Sequence, residues 1–143
     1  MANAKRGAGA KREQVRSFAL EMPDSYEDFP WGESVVKVNK KVFVFLGGDQ
    51  SDPPPGMSVK LRDSHDEALD SPGASPTGYG LGRAGWVSVR FGAGSPPIGV
   101  LRDWVEESYR IVAPKRVAAR LDDERTAKKV AGKNATAPDK AAG

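Results

Sequence analysis

Catalysis needs convergent side chains, and this chain of 143 residues offers few: it has one histidine and no cysteine. His65 stands between Ser64 and Asp66, but neighbours on a helix point in different directions while a Ser-His-Asp triad needs facing groups. His65 therefore reads as a surface histidine. Without cysteine there is no thiolate nucleophile, no disulfide and no cysteine-ligated zinc or iron–sulfur cluster. Three acidic clusters, Glu27-Asp28, Asp63-Asp66-Glu67-Asp70 and Asp103-Glu106-Glu107, lack EF-hand spacing and read as solvated faces. The run GYGLGRAG, residues 78–85, lacks the preceding strand and following helix of a phosphate loop. Its Gly80, Gly82 and Gly85 read instead as sites of close packing or bending. No catalytic residue, metal or cofactor is assigned, and a non-enzymatic protein is expected.

The remaining chemistry is cationic. If residues 57–62 and 85–91 are strands, alternation puts Lys60 and Arg62 on the polar side of the first and Trp86, Ser88 and Arg90 together on the second, opposite Val87 and Val89, all on the sheet surface away from the helices, with Lys37 between Val36 and Val38 as a further member. Lys40 and Lys41 would sit at a hairpin tip, and Arg83 in the glycine-rich approach to Trp86. A basic face with an aromatic can neutralise phosphates and stack on an unpaired base. A one-sided sheet also shows Lys, Arg and Ser to water with no ligand at all, and both readings stand at this point. The candidate nucleic-acid contacts are Lys37, Lys40, Lys41, Lys60, Arg62, Arg83, Trp86 and Arg90, joined by Lys5, Arg6, Lys11 and Arg12 near the N-terminus.

These residues need elements to position them. Val15, Phe18, Ala19 and Met22 recur at helical spacing and Pro23 stops them, giving a helix from about 11 to 21. SVVKV (34–38) and KVFVFL (41–46) are β-branched and aromatic, with a two-residue hairpin at Asn39-Lys40 between them. Lys40 stands where glycine is usual, which predicts a loosened turn. GGDQSDPPPG (47–56) is loop, MSVKLR (57–62) alternates as a half-buried strand, and Asp63 or Ser64 with Glu67 offers a cap for a short helix to about Leu69. SPGASPTG is loop and GWVSVRF (85–91) a strand. Ser95 and Pro96 suit the start of a last helix whose face is Ile98, Leu101, Val105, Ser108, Tyr109 and Val112. Pro114 should interrupt it. With a second, short strand before GWVSVRF that only the resemblance given below implies, the order is helix, three-stranded antiparallel meander, short helix, two strands and C-terminal helix, an α+β single domain over about 11–121. Residues 1–10 and 122–143 carry almost no large hydrophobes and are expected as disordered tails.

Charge divides along the same lines. The net +3 hides flanks (1–16 and 110–143) summing to +9 and a middle (17–109) at −6, since the middle has eight basic and fourteen acidic residues. Basic ends can hold a polyanion through phosphates without reading sequence; they can equally serve as solubilising ends. No apolar stretch reaches the roughly 18 residues of a membrane span and no signal-peptide core follows the basic start, so a cytoplasmic monomer without membrane contact is expected.

Glu27, Asp28, Pro30, Trp31, Gly32, Lys41, Val42, Phe43, Trp86, Ser108 and Tyr109 together make a recognisable pattern. An acidic pair precedes Pro-Trp-Gly, a Lys-Val-Phe follows a hairpin, a Trp opens a late strand, and Ser-Tyr sits on the last helix. In this the chain resembles the MmcQ/YjbR family of small bacterial proteins over about residues 12–121. The resemblance implies a secretion-chaperone-like or double-wing α+β fold, a short strand near Tyr79–Leu81 and DNA binding. Its chaperone-like side implies an alternative, a protein-binding adaptor that uses its sheet. From the residues alone, Trp31 is expected to anchor the Pro30–Gly32 corner on the core, and Tyr109 to bury its hydroxyl against an acceptor.

Overall fold

The computed structural model describes residues 2–47, 56–78, 81–92 and 94–142, with the side chains of 2–8, Trp31 and 130–142 outside that description. Six strands, β1 (Ser25–Asp28), β2 (Ser34–Val38), β3 (Lys41–Gly47), β4 (Gly56–Lys60), β5 (Ala74–Pro76) and β6 (Trp86–Arg90), form one sheet in the order β1-β2-β3-β4-β6-β5. Every neighbouring pair is antiparallel. Helices α1 (Ala2–Leu20) and α3 (Ile98–Val112) pack on each other and on one face of the sheet, α2 (His65–Leu69) lies against β5 and β6, and α4 (Lys115–Ala142) follows α3. The expected α+β domain is what forms, with the meander as β2-β3-β4.

The hairpin is tighter than expected. Asn39 and Lys40 both have positive φ, 53° and 67°, and Val38 pairs directly with Lys41, so this is a two-residue turn whose twist matches the strands. Lys40 accepts the left-handed conformation that glycine would take more easily. Further along, Val36 pairs with Val44 and Lys37 with Val42, which leaves Phe43 as an extra residue; Leu46 is extra in the same way between Phe45 and Gly47. The bulge at Phe43 lets the consecutive Phe43 and Val44 both reach the core, which strict alternation forbids.

The core lies between the sheet and the helix pair. Val15 and Ala19 of α1 and Leu101, Trp104, Val105 and Tyr109 of α3 meet Val36, Val38, Val44, Val59, Val87 and Val89. Trp104 belongs to the α3 stripe and is 2% exposed, although the sequence reading passed over it; its spacing from Leu101 and Ser108 is the signal that marks it.

Several boundaries differ from expectation. Strand β1 was unrecognised because SYED alternates weakly and ends in acids. A strand was expected near Tyr79–Leu81 and a loop before it; Leu81 instead begins a 3-10 turn, Leu81–Ala84, and the strand is Ala74–Pro76, while Tyr79 and Gly80 lie outside the described residues. Helix α3 starts at Ile98 with Pro97 as its cap, and Ser95 Oγ serves the preceding turn by donating to Gly92 O at 2.7 Å. Helix α2 has no side-chain cap from Ser64. Pro114 separates α3 from α4 as expected. Residues 2–10 and 122–142, expected as disordered tails, continue α1 and α4 as helix. Ala, Lys and Arg favour that conformation intrinsically, while the buried apolar anchors of α4 are Val117 and Leu121 and residues 122–129 are exposed.

Candidate nucleic-acid interface

Much of the recognisable pattern turns out to hold the fold together. Glu27 receives two bonds from Arg16 of α1, Nε to Oε2 at 2.9 Å and Nη2 to Oε1 at 2.6 Å, and a third from the Ser34 hydroxyl. The Arg16 bonds hold the Glu27 carboxyl below the usual carboxylate range against the opposing effect of burial, with Ser34 assisting. Its partner Arg16 is raised in turn, chiefly by the bond to Glu27. Ser108 is fully buried, donating to Phe43 O on the bulge and accepting from Lys60 N–H at 2.9 Å, so one hydroxyl stitches β3 to β4 where ladder bonds are few. Tyr109 donates its hydroxyl to Pro23 O at 2.8 Å and packs edge-on to Phe43 with ring centroids 5.2 Å apart. Burial pushes its hydroxyl up to about 12. The Pro30–Gly32 corner is a 3-10 turn with Gly32 at φ 79°; the expected anchoring by Trp31 lies outside the described side chains.

The outer sheet face does not form one basic strip. Lys37 is tied to Asp28 at 2.8 Å, a bond that lowers Asp28 and raises Lys37. Trp86 is 8% exposed and its ring stands edge-on to Phe45 at 5.2 Å, which leaves little surface for stacking on a base. Ser58, Ser88 and Thr77 bond one another across β4, β6 and the end of β5. Arg90 is exposed at the far end of β6, and Lys40 and Lys41 are exposed at the hairpin tip. Of the N-terminal cations, Lys11 donates to Ser95 Oγ at 2.6 Å and Arg12, 8% exposed, donates to Leu46 O at 3.2 Å. Both fasten α1 to the body. Lys5 and Arg6 have side chains outside the description.

Three of the expected contacts converge elsewhere. Lys60, Arg62 and Arg83 line a shallow groove of about 390 Å³, with His65 and Asp66 on its α2 side and Ile111 of α3 at its margin. Two local features build it. Gly85, at φ 100°, accepts Leu61 N–H at 2.9 Å, and a Cβ there would stand 2.6 Å from Leu61 O; only glycine lets the Arg83 turn approach the end of β4 so closely. On the other side Glu107 Oε2 accepts the N–H groups of Arg62 at 2.7 Å and Ser64 at 3.2 Å. Burial opposes ionisation of Glu107, but the Arg62 and Ser64 donors prevail and hold it below its ordinary value.

Among the described residues no acidic side chain forms an ion pair with Lys60, Arg62 or Arg83. Asp66 is engaged with His65 at 3.3 Å. Beyond Arg62 a second depression, about 370 Å³, gathers Asp103, Glu106 and Glu107 with Arg110. There Glu106 pairs with Arg110 at 2.8 Å and Arg125 at 2.6 Å and Glu107 holds backbone N–H groups, while Asp63 and Asp103 have no ion pair among the described residues. No group of three or more metal-ligating side chains is found among the described residues, nor any helix long and apolar enough to cross a membrane. Sequence reasoning placed Lys60 and Arg62 on a sheet face with Trp86 and missed Glu107, whose role depends on a contact 45 residues away.

A six-stranded antiparallel sheet with two helices on one face, a bulged central strand stitched by a helix hydroxyl and a groove at its β4 end define a small α+β domain. A family model for YjbR matches residues 20–111, and the chain belongs to that family. It is similar in structure to a Deinococcus radiodurans protein, DR2400, whose crystal structure carries the DUF419 domain. The two are 26% identical with a TM-score of 0.60, over 77% of this chain and 86% of that one. No curated protein matches.

Proposed function

We propose that this YjbR-family protein binds nucleic acid through phosphate contacts, without a catalytic step and with little sequence readout. The observation that carries the reading is the convergence of Lys60, Arg62 and Arg83 on one groove with no acidic partner for any of them among the described residues. A folded protein normally matches cations it gathers; leaving three unmatched raises a positive potential that an anion can discharge. Lys40, Lys41 and Arg90, all exposed, are placed to extend the contact, and the cations of α4 add long-range attraction. Lys37 and Trp86 contribute less than their residue types promised, since one is paired and the other covered. Titration of the full chain against labelled duplex and single-stranded DNA at two salt concentrations tests this: affinity should fall steeply with salt and differ little between sequences. A sequence preference that survives at physiological salt would sink the non-specific reading.

A second reading, a monomeric protein-binding adaptor, is favoured by one observation. Tyr26 on β1, the free edge strand of the sheet, and Phe29 just after that strand are 41% and 57% exposed. An edge strand flanked by exposed aromatics suits strand addition by a peptide. If no nucleic acid binds at low salt, this reading takes precedence.

A further inference from the structure

The shape of the basic groove says more than its sign. Duplex DNA spreads about one negative charge over each 1.7 Å of its axis, and a surface made for it would lay cations along a strip. Here the outer-face strip is interrupted at Lys37 by Asp28, whereas Lys60, Arg62 and Arg83 line a single recess of about 390 Å³. With Asp66 on the same recess and Glu107 behind the Arg62 backbone, the three cations still outnumber the carboxylates beside them. A phosphodiester carries one negative charge. A phosphomonoester, with a second pKa of about 6, carries close to two at neutral pH.

The recess is also rigid where it needs to be. The Arg62 backbone is clamped by Glu107 and the Arg83 turn is locked to Leu61 through Gly85, so the two guanidinium-bearing segments are held in register before any ligand arrives. Arginine forks bond phosphate oxygens through two parallel N–H groups, and three cations can share the oxygens of a terminal phosphate that a backbone diester, carrying ester links on two sides, leaves only in part available.

From this convergence we infer that the groove of Lys60, Arg62 and Arg83 is a phosphomonoester site, selective for the terminal phosphate of a nucleic-acid strand or for a free mononucleotide over an internal phosphodiester. The inference rests on the nucleic-acid reading above and refines its ligand. The test uses the full chain and a short single-stranded oligonucleotide labelled at its 3′ end, with and without a 5′-phosphate, followed by fluorescence anisotropy at neutral pH and physiological salt. The phosphorylated strand should bind about tenfold more tightly, the scale of one added charge-assisted contact. Arg83→Gln and Lys60→Gln should each shrink that ratio towards one, with circular dichroism unchanged. Competition by deoxyadenosine monophosphate separates the two sources: displacement of the phosphorylated strand assigns the site to free nucleotides, and failure to displace assigns it to strand ends. Equal affinity for the two strands overturns the inference and leaves the nucleic-acid reading standing. Absence of binding to either strand at low salt overturns both. A preference that persists unchanged in the Lys60→Gln, Arg83→Gln double variant overturns the placement in this groove.

Discussion

Two charged regions of this molecule use the same residue types to opposite ends. At the α1–β1 junction Arg16, Glu27 and Ser34 satisfy one another through three bonds, and Arg12 anchors alongside to Leu46 O. At the β4–α2 groove Lys60, Arg62 and Arg83 are gathered by backbone clamps and left without acidic partners among the described residues. Charge alone therefore does not distinguish structure from function. Saturation does: a partly buried ion with all its partners is a fastener, and like-charged side chains gathered without ion pairs of their own cost self-repulsion that a ligand relieves.

The sharpest way to break this contrast is at the fastener. Glu27→Ala leaves Arg16 without its main partner at a side chain 14% exposed on the carboxylate side, and removing one member of such a pair typically costs about 3 kcal/mol. The urea midpoint should fall accordingly while DNA affinity per folded molecule stays constant. A midpoint unchanged within error would move Glu27 out of the structural class. The same pair predicts pH behaviour. Because the folded Glu27 titrates below its unfolded value, its stabilising contribution is fully present above that ordinary value and is lost as pH falls through the lower folded one. Acid titration of stability should show this loss below about pH 4.5, and Glu27→Gln should diminish it.

Next in size is Ser108→Ala, which removes the acceptor for Lys60 N–H and the donor to Phe43 O inside the core. Stranding two buried backbone groups should cost about 2 kcal/mol, read as a shift in thermal midpoint. The stitch also fixes the end of β4 from which Lys60 projects, so this variant probes whether the groove depends on the fold beneath it.

At the groove the expectation reverses. Lys60→Ala and Arg83→Ala should alter stability by no more than about 0.5 kcal/mol, as surface changes do. Each should weaken DNA binding across sequences and reduce the salt slope by about one unit. If either unfolds the protein instead, the groove is a fastener too and the contrast collapses.

The fold was legible because its signals are local. Alternation in MSVKLR and GWVSVRF, the β-branched runs around Asn39-Lys40 and the stop at Pro114 all act within a few residues, and each element forms there, although β4 ends at Lys60 and leaves Leu61 and Arg62 beyond the strand. Strand β1 escaped because SYED has neither β-branched residues nor clean alternation; its strand state depends on pairing with β2. The candidate site was legible as residue types and opaque as geometry. Lys37 was neutralised by Asp28, nine residues away in sequence and one strand over, Trp86 was covered by Phe45, and the groove needed Glu107 to arrive from α3. Each is a tertiary contact that no periodicity encodes.

The smallest effect is the most discriminating for the extent of the interface. Lys40 sits at φ 67° in the hairpin turn, a conformation that costs a non-glycine residue roughly 1 kcal/mol, so Lys40→Gly should stabilise the protein by about 0.5 kcal/mol once glycine's greater unfolded-state entropy is offset. The same substitution deletes an exposed cation. If the hairpin tip meets phosphates together with the groove, the variant should be more stable yet bind DNA more weakly, with the salt slope reduced. If binding is confined to the groove, stability should rise and affinity should not move, and the interface then contracts to Lys60, Arg62 and Arg83.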